Sequence, residues 1–143
     1  MKTSKLLSMC ILFVVGGIIT ASAIYTTPLR YTHFIEPTIN DVDPSTFYEQ
    51  FSENSDSFIF IDVRPPSAYN KEHARGSINI PLHLLYGEKD ILPRKDKEIV
   101  LICTGGAASG VGYSYLEHYG FSNIQRIEDG INAWKEAGLP TEN

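Results

Sequence analysis

The fold is decided by the stretch Ile99-Val100-Leu101-Ile102-Cys103-Thr104-Gly105-Gly106-Ala107-Ala108-Ser109-Gly110. Four apolar residues without a polar break read as a strand buried on both faces. They run straight into a cysteine and a glycine-rich turn. A helix is expected next, with Val111, Tyr115 and Leu116 on its inner side and its end at Gly120. A second run of the same character, Phe58-Ile59-Phe60-Ile61-Asp62-Val63, is stopped by Pro65-Pro66. Shorter strands are expected over 78–80, closed by Pro81, over 123–127, and as a lead-in around Thr38-Ile39.

Helical signals fall between these strands. Asp43 suits an N-cap and Pro44 the first helical position, where its missing N–H costs nothing. Phe47 and Phe51 then share a face, and Asn54-Ser55-Asp56 ends the segment. A brief helix is expected over 67–71. Residues 82–97 read as irregular apart from one turn over 82–86. Asp129 is placed to cap the last helix, with Ile131 and Trp134 on one face, Gly138 just past its end and Pro140 closing it. Strands alternating with helices imply an α/β fold, a mostly parallel sheet covered on both faces.

Length and charge agree with a single domain. The 143 residues are 43% hydrophobic and 20% charged, with a net charge of −5. That composition excludes a disordered, collagen-like or polytopic membrane chain. Lys2 and Lys5 are the only charges before Arg30, so the body of the chain is the more acidic part. It offers no broad basic footprint for a phosphate backbone, and no nucleic-acid partner is expected. The two lysines, the apolar run from Leu6 to Ile24 and the small triplet Ala21-Ser22-Ala23 form the parts of a secretory signal. The run is also close to the ~20 residues of a spanning helix, so an uncleaved N-terminal apolar helix remains open. Residues 1–23 are thus a signal or anchor, 24–39 a linker or lead-in, and 40–143 the domain. Both readings place the domain outside the cytoplasm, periplasmic or secreted if cleaved and membrane-anchored if not, and only an uncleaved chain touches a membrane, through residues 6–24.

Ligands of open parallel sheets bind at the carboxyl ends of the strands. Asp62-Val63-Arg64 ends one strong strand, Cys103 the next, and the segment from Arg126 to Asp129 the last. Cys103 is the best candidate for chemistry. Two glycines, small side chains and a following helix would surround its sulfur with backbone N–H groups at a positive helix terminus, which favours the nucleophilic thiolate. The bland alternative is a buried cysteine acting as a small hydrophobe at a strand end.

Several motifs in order resemble one family, the rhodanese-like domains. They are Asp62-Val63-Arg64, then Glu72-His73-Ala74-Arg75-Gly76-Ser77-Ile78-Asn79-Ile80-Pro81, then Cys103-Thr104-Gly105-Gly106-Ala107-Ala108-Ser109. Leu116-Glu117-His118-Tyr119-Gly120-Phe121 and Asp129-Gly130-Ile131-Asn132-Ala133-Trp134 complete the set. The resemblance implies a five-stranded parallel sheet and sulfur transfer through a persulfide on Cys103, with the loop from Thr104 to Ser109 binding the donor. One position departs from the pattern. Ala108 stands where the family has an arginine that helps bind an anionic donor such as thiosulfate. A charge-assisted hydrogen bond is worth roughly 1.5–3 kcal/mol, so a tenfold to hundredfold weaker use of thiosulfate is expected.

The remaining candidates are structural first. Asp62 and Arg64 are expected to pair internally, and His73 to bond the backbone near its turn. His33, His73, His83 and His118 lack metal-ligand spacing, Cys103 has no Cys-x-x-Cys partner, and no metal or organic cofactor is expected. The glycine-rich loop lacks the Lys-Ser/Thr of a nucleotide P-loop. A cysteine phosphatase needs an arginine five or six residues past its cysteine, where Ala108 and Ser109 stand, and that class is excluded. Two functions remain: a sulfurtransferase with a small sulfur donor and a thiol acceptor, or a silent module that binds a partner protein or senses reactive sulfur.

Overall fold

The computed structural model describes residues 13–17, 39–93 and 96–143. The chain divides into two compact units, residues 1–35 and 36–143. Of the first, residues 13–17 are helical, with Phe13, Val14 and Val15 exposed. The rest of the expected leader and the lead-in up to Thr38 lie outside the described residues. Among the described residues no helix is long and apolar enough to cross a membrane.

In chain order the second unit contains β1 (Asp41–Val42), α1 (Pro44–Glu53), β2 (Phe58–Asp62), α2 (Pro66–Tyr69), β3 (His73–Ala74), β4 (Ile78–Asn79) and α3 (Leu82–Glu88). It continues with β5 (Glu98–Ile102), α4 (Ala107–His118), β6 (Ile124–Ile127), α5 (Gly130–Glu136) and β7 (Thr141–Glu142). Five strands form one sheet in the order β1-β6-β5-β2-β4. Every pairing in it is parallel. Side chains alternate across the two faces of each strand. Phe60, Val100, Ile102 and Ile127 meet Phe47 of α1 and Ile131 and Trp134 of α5 in one apolar cluster. Leu101 points the other way, toward Gly112 of α4 and, with it, Leu82 and Leu85 of α3. Helices therefore cover both faces.

The local signals explain most element ends. The Asp43 carboxylate accepts the Thr46 N–H at 2.9 Å, and Pro44 opens α1. Gly138 takes φ +68° past the end of α5, and the Gly138 and Leu139 N–H groups close on the carbonyls of Lys135 and Trp134.

Five details differ from the sequence reading. The lead-in strand lies at Asp41–Val42, because Asp41 stands beside Arg126 in register with β6 and is bonded to its side chain. The brief helix starts at Pro66 and ends at Tyr69, since proline fits the first helical position. The segment after Pro81 makes two turns, to Glu88, with Leu85 buried and the Tyr115 hydroxyl of α4 donating to the Tyr86 carbonyl at 3.0 Å, a contact from a distant element. Val111 is only half-buried, while Gly112, Tyr113 and Ser114 are buried, so α4 is wrapped on more than one side. Finally, β3 and β7 form a separate antiparallel pair, His73 opposite Glu142 and Ala74 opposite Thr141.

Candidate active site

From β2 the chain crosses to β4 on one side, and from β5 to β6 on the other. The carboxyl ends of β2 and β5 therefore flank the point where the winding reverses, where such sheets hold ligands. A cavity of about 610 Å³ opens there. The end of β2 contributes Val63, Arg64 and Pro65, and the segment after β4 contributes Pro81, Leu82, His83 and Tyr86. The loop after β5 contributes Cys103, Thr104, Gly105, Ala107 and Ala108. Cys103 is only 2% exposed, so its sulfur lies in the floor of this cavity.

The loop is shaped by its own residues and by a neighbouring helix. Gly106, at φ +86°, turns the chain into α4, a conformation that side chains with a Cβ rarely adopt. The first intrahelical bond of α4 runs from the Gly110 N–H to the Gly106 carbonyl at 2.9 Å. The N–H groups of Ala107, Ala108 and Ser109 come before it, at the positive end of a twelve-residue helix. Ser109 is fully buried, its Oγ 3.4 Å from the Cys103 sulfur and 3.0 Å from the Gly106 carbonyl. Beneath the loop, α5 donates the Ile131 N–H to the Cys103 carbonyl at 2.7 Å and the Asn132 N–H to the Thr104 carbonyl at 3.4 Å. Those are the two N–H groups a side-chain cap would take. Asp129 accordingly does not cap α5. Its side chain makes no cap bond and its backbone is left-handed, at φ 53°.

The other predicted residues divide between wall and scaffold. Asp62 is fully buried, and its carboxylate accepts the Arg64 side chain at Nε and Nη2 and the Arg64 backbone N–H. Arg64 Nη2 also donates to the Glu72 carbonyl at 2.8 Å. The pair thus ties the end of β2 to the following segment while Arg64 lines the cavity. His73 stacks on Tyr69 with ring centroids 3.7 Å apart, and its Nδ1 lies 3.0 Å from the Tyr69 carbonyl. It is not among the residues lining the cavity. Gly106 and Ser109 lie beneath the lining, and Gly105 has no left-handed backbone, so only Gly106 carries the turn.

Two features were not expected from the sequence. The segment from Pro81 to Tyr86 forms one wall, and burial pushes the Tyr86 phenol above its usual range. The signal was present: Pro81 follows the carboxyl end of a strand. Arg126 was noted only as a strand end. Its guanidinium is hydrogen-bonded to the Asp41 carboxylate, which holds it above its ordinary pKa, and Nη1 reaches the Gly106 carbonyl at 3.0 Å.

The sequence profile described as the rhodanese-like domain matches residues 43–137. The chain belongs to the rhodanese-like domain family. Among relatives of this family, a protein of Allochromatium vinosum named sulfurtransferase is 26% identical over 102 residues, covering 71% of this chain and 94% of that one. A tRNA uridine(34) hydroxylase of Photorhabdus laumondii is 31% identical over 64% of this chain, but the match spans 28% of that longer protein. A crystal structure of a rhodanese-related protein from Thermoplasma volcanium superposes with a TM-score of 0.61 at 31% identity, covering 72% of this chain and 97% of that chain. The rhodanese-like domain of an Anabaena protein, solved in solution, gives 0.65 at 25% identity, covering 76% and 80%. The rhodanese-like fold is thus common to chains of different named activities.

Proposed function

We propose that this rhodanese-like chain is a sulfurtransferase that carries sulfane sulfur as a persulfide on Cys103. The observation that carries the reading is a cysteine sulfur in the floor of a cavity at the winding reversal, at the start of a twelve-residue helix. The deprotonated sulfur attacks the outer sulfur of a donor R–S–SH. A new S–S bond forms on Cys103, the donor's S–S bond breaks, and R–S⁻ departs with the electron pair and takes up a proton. An acceptor thiolate or cyanide then attacks the outer sulfur and returns Cys103 to its starting state. The Ser109 hydroxyl and the positive end of α4, where the N–H groups of Ala107, Ala108 and Ser109 lie, support the negative sulfur at both stages.

The walls favour a donor that, unlike thiosulfate, needs no arginine clamp for a compact anionic group beside the reacting sulfur. Val63, Pro65, Pro81, Leu82 and Tyr86 are apolar or neutral, Ala108 supplies no cation, Arg64 is already bonded to Asp62 and Glu72, and His83 is the other basic side chain of the lining. The cavity also has far more room than a small inorganic anion needs. Exposing the protein separately to thiosulfate and to glutathione persulfide, then weighing it by mass spectrometry, tests the reading. One added sulfur on Cys103 from the persulfide, with little from thiosulfate, is the expected result. No adduct from either donor would leave the chain a silent binding or sensing module. Ala108→Arg should raise thiosulfate kcat/KM by roughly tenfold to a hundredfold. An unchanged value would refute the missing-cation explanation.

We also propose that residues 1–23 direct the domain out of the cytoplasm. Support comes from Lys2, Lys5, the apolar run and Ala21-Ser22-Ala23. A reporter active only outside the cytoplasm, fused after Asn143, should be active. N-terminal sequencing of the mature chain separates removal after Ala23 from a retained anchor.

A further inference from the structure

Three donors converge on the carbonyl oxygen of Gly106. The Gly110 N–H approaches to 2.9 Å, Ser109 Oγ to 3.0 Å and Arg126 Nη1 to 3.0 Å. A carbonyl oxygen has two lone pairs, and a serine hydroxyl has one proton. Ser109 Oγ also lies 3.4 Å from the Cys103 sulfur, so its proton has two destinations. When Gly110 and Arg126 fill both lone pairs of the carbonyl, the sulfur is the destination that remains. We propose that Arg126 is a positioning residue which, by occupying the Gly106 carbonyl, directs the Ser109 hydroxyl onto the Cys103 sulfur.

Two further features of the chain fit this role. Asp41 holds the opposite edge of the guanidinium through two bonds, Nε to Oδ1 at 2.5 Å and Nη2 to Oδ2 at 2.7 Å. Such a paired contact fixes the plane of the group and leaves Nη1 as the arm that reaches the loop. Gly110 supplies the space. A Cβ at this position would stand 2.9 Å from Arg126 Nη1. Glycine within a helix is less favourable than alanine, so the residue is out of place in α4 unless something needs the room. The guanidinium needs it.

The inference rests on Cys103 being the sulfur carrier, yet it can be tested without sulfur transfer. The readout is the rate at which iodoacetamide alkylates Cys103 at fixed pH, followed on its own peptide by mass spectrometry so that Cys10 does not contribute. Arg126→Gln and Gly110→Ala cut the same bond from opposite sides. Each should slow alkylation roughly threefold to tenfold, the size of one redirected hydrogen bond. In a Ser109→Ala background neither should change the rate by more than about twofold. Gly110→Ala guards against a folding artefact: alanine favours the helix, and the atom it displaces belongs to a side chain and not to the backbone. Its melting temperature should hold or rise while its rate falls. Effects that multiply in the Ser109→Ala background, or a Gly110→Ala chain that reacts at the wild-type rate, would overturn the proposal. A wild-type chain that takes no sulfur from any donor but shows the coupling would sink the sulfurtransferase reading and leave the role of Arg126 standing.

Discussion

Cys103→Ser should take up no sulfur from thiosulfate or glutathione persulfide, a fall of at least about a thousandfold, while melting within about 8 °C of the parent. The persulfide needs a sulfur nucleophile, and a serine hydroxyl at the same place cannot form an S–S bond. The stability side follows from geometry. The residue is 2% exposed, so its environment is nearly that of an interior position. A hydroxyl there has the Ser109 Oγ next to it as a partner, which limits the cost of burying a polar atom to about 1 kcal/mol. For a domain of this size that is a shift of about 4–8 °C or less. Peptide mapping must find the sulfur of the wild-type chain on Cys103, because Cys10 is the other cysteine of the sequence. An adduct retained in Cys103→Ser would place the carrier elsewhere.

Gly130→Ala, at the start of α5, should be the most destabilising single methyl against the active loop. The backbone of Gly130 is left-handed, at φ +58°, and alanine pays for that conformation with about 1 kcal/mol. The larger cost is steric. A Cβ would sit 2.1 Å from the Cys103 carbonyl oxygen and 2.9 Å from the Thr104 carbonyl carbon. Both are backbone atoms that no rotamer change can move aside. Relief requires α5 to withdraw, which breaks the bonds from the Ile131 and Asn132 N–H groups to the Cys103 and Thr104 carbonyls. Adding these terms gives more than about 3 kcal/mol, and a melting temperature lowered by about 10 °C or more. Sulfur uptake should fall as well, since the displaced loop carries the nucleophile. A variant that melts with the parent would show that this close approach is absent in solution.

Much of this architecture was readable before any coordinates, for reasons that differ by element. The runs ending at Asp62 and Ile102 were legible because central parallel strands are buried on both faces and tolerate no polar alternation. The start of α1 was legible because its cap is made by residues three apart in sequence, Asp43 and Thr46. Cys103 and the loop to Ser109 were legible because the composition of the loop is itself the signal. What failed to show was interaction at a distance. The β3–β7 pair joins residues about seventy positions apart through strands of two residues, too short for any periodicity. Asp129 looked like a cap because sequence reveals a capping side chain but not a carbonyl arriving from another loop. Arg126 looked like a strand end. Its importance lies in contacts with Asp41 and Gly106, from two other parts of the fold.

The single tryptophan gives this arrangement a practical use. Trp134 is fully buried on α5, one turn beyond the Ile131 N–H that holds the Cys103 carbonyl. Its ring packs edge-on against Tyr48, with centroids 5.4 Å apart, and its Nε1–H donates to the Pro140 carbonyl. The chain therefore carries its own optical gauge, one indole whose emission follows the helix braced against the reactive loop. Ultraviolet excitation of the unlabelled protein can register loosening at that brace, with no dye attached to compete for the sulfur.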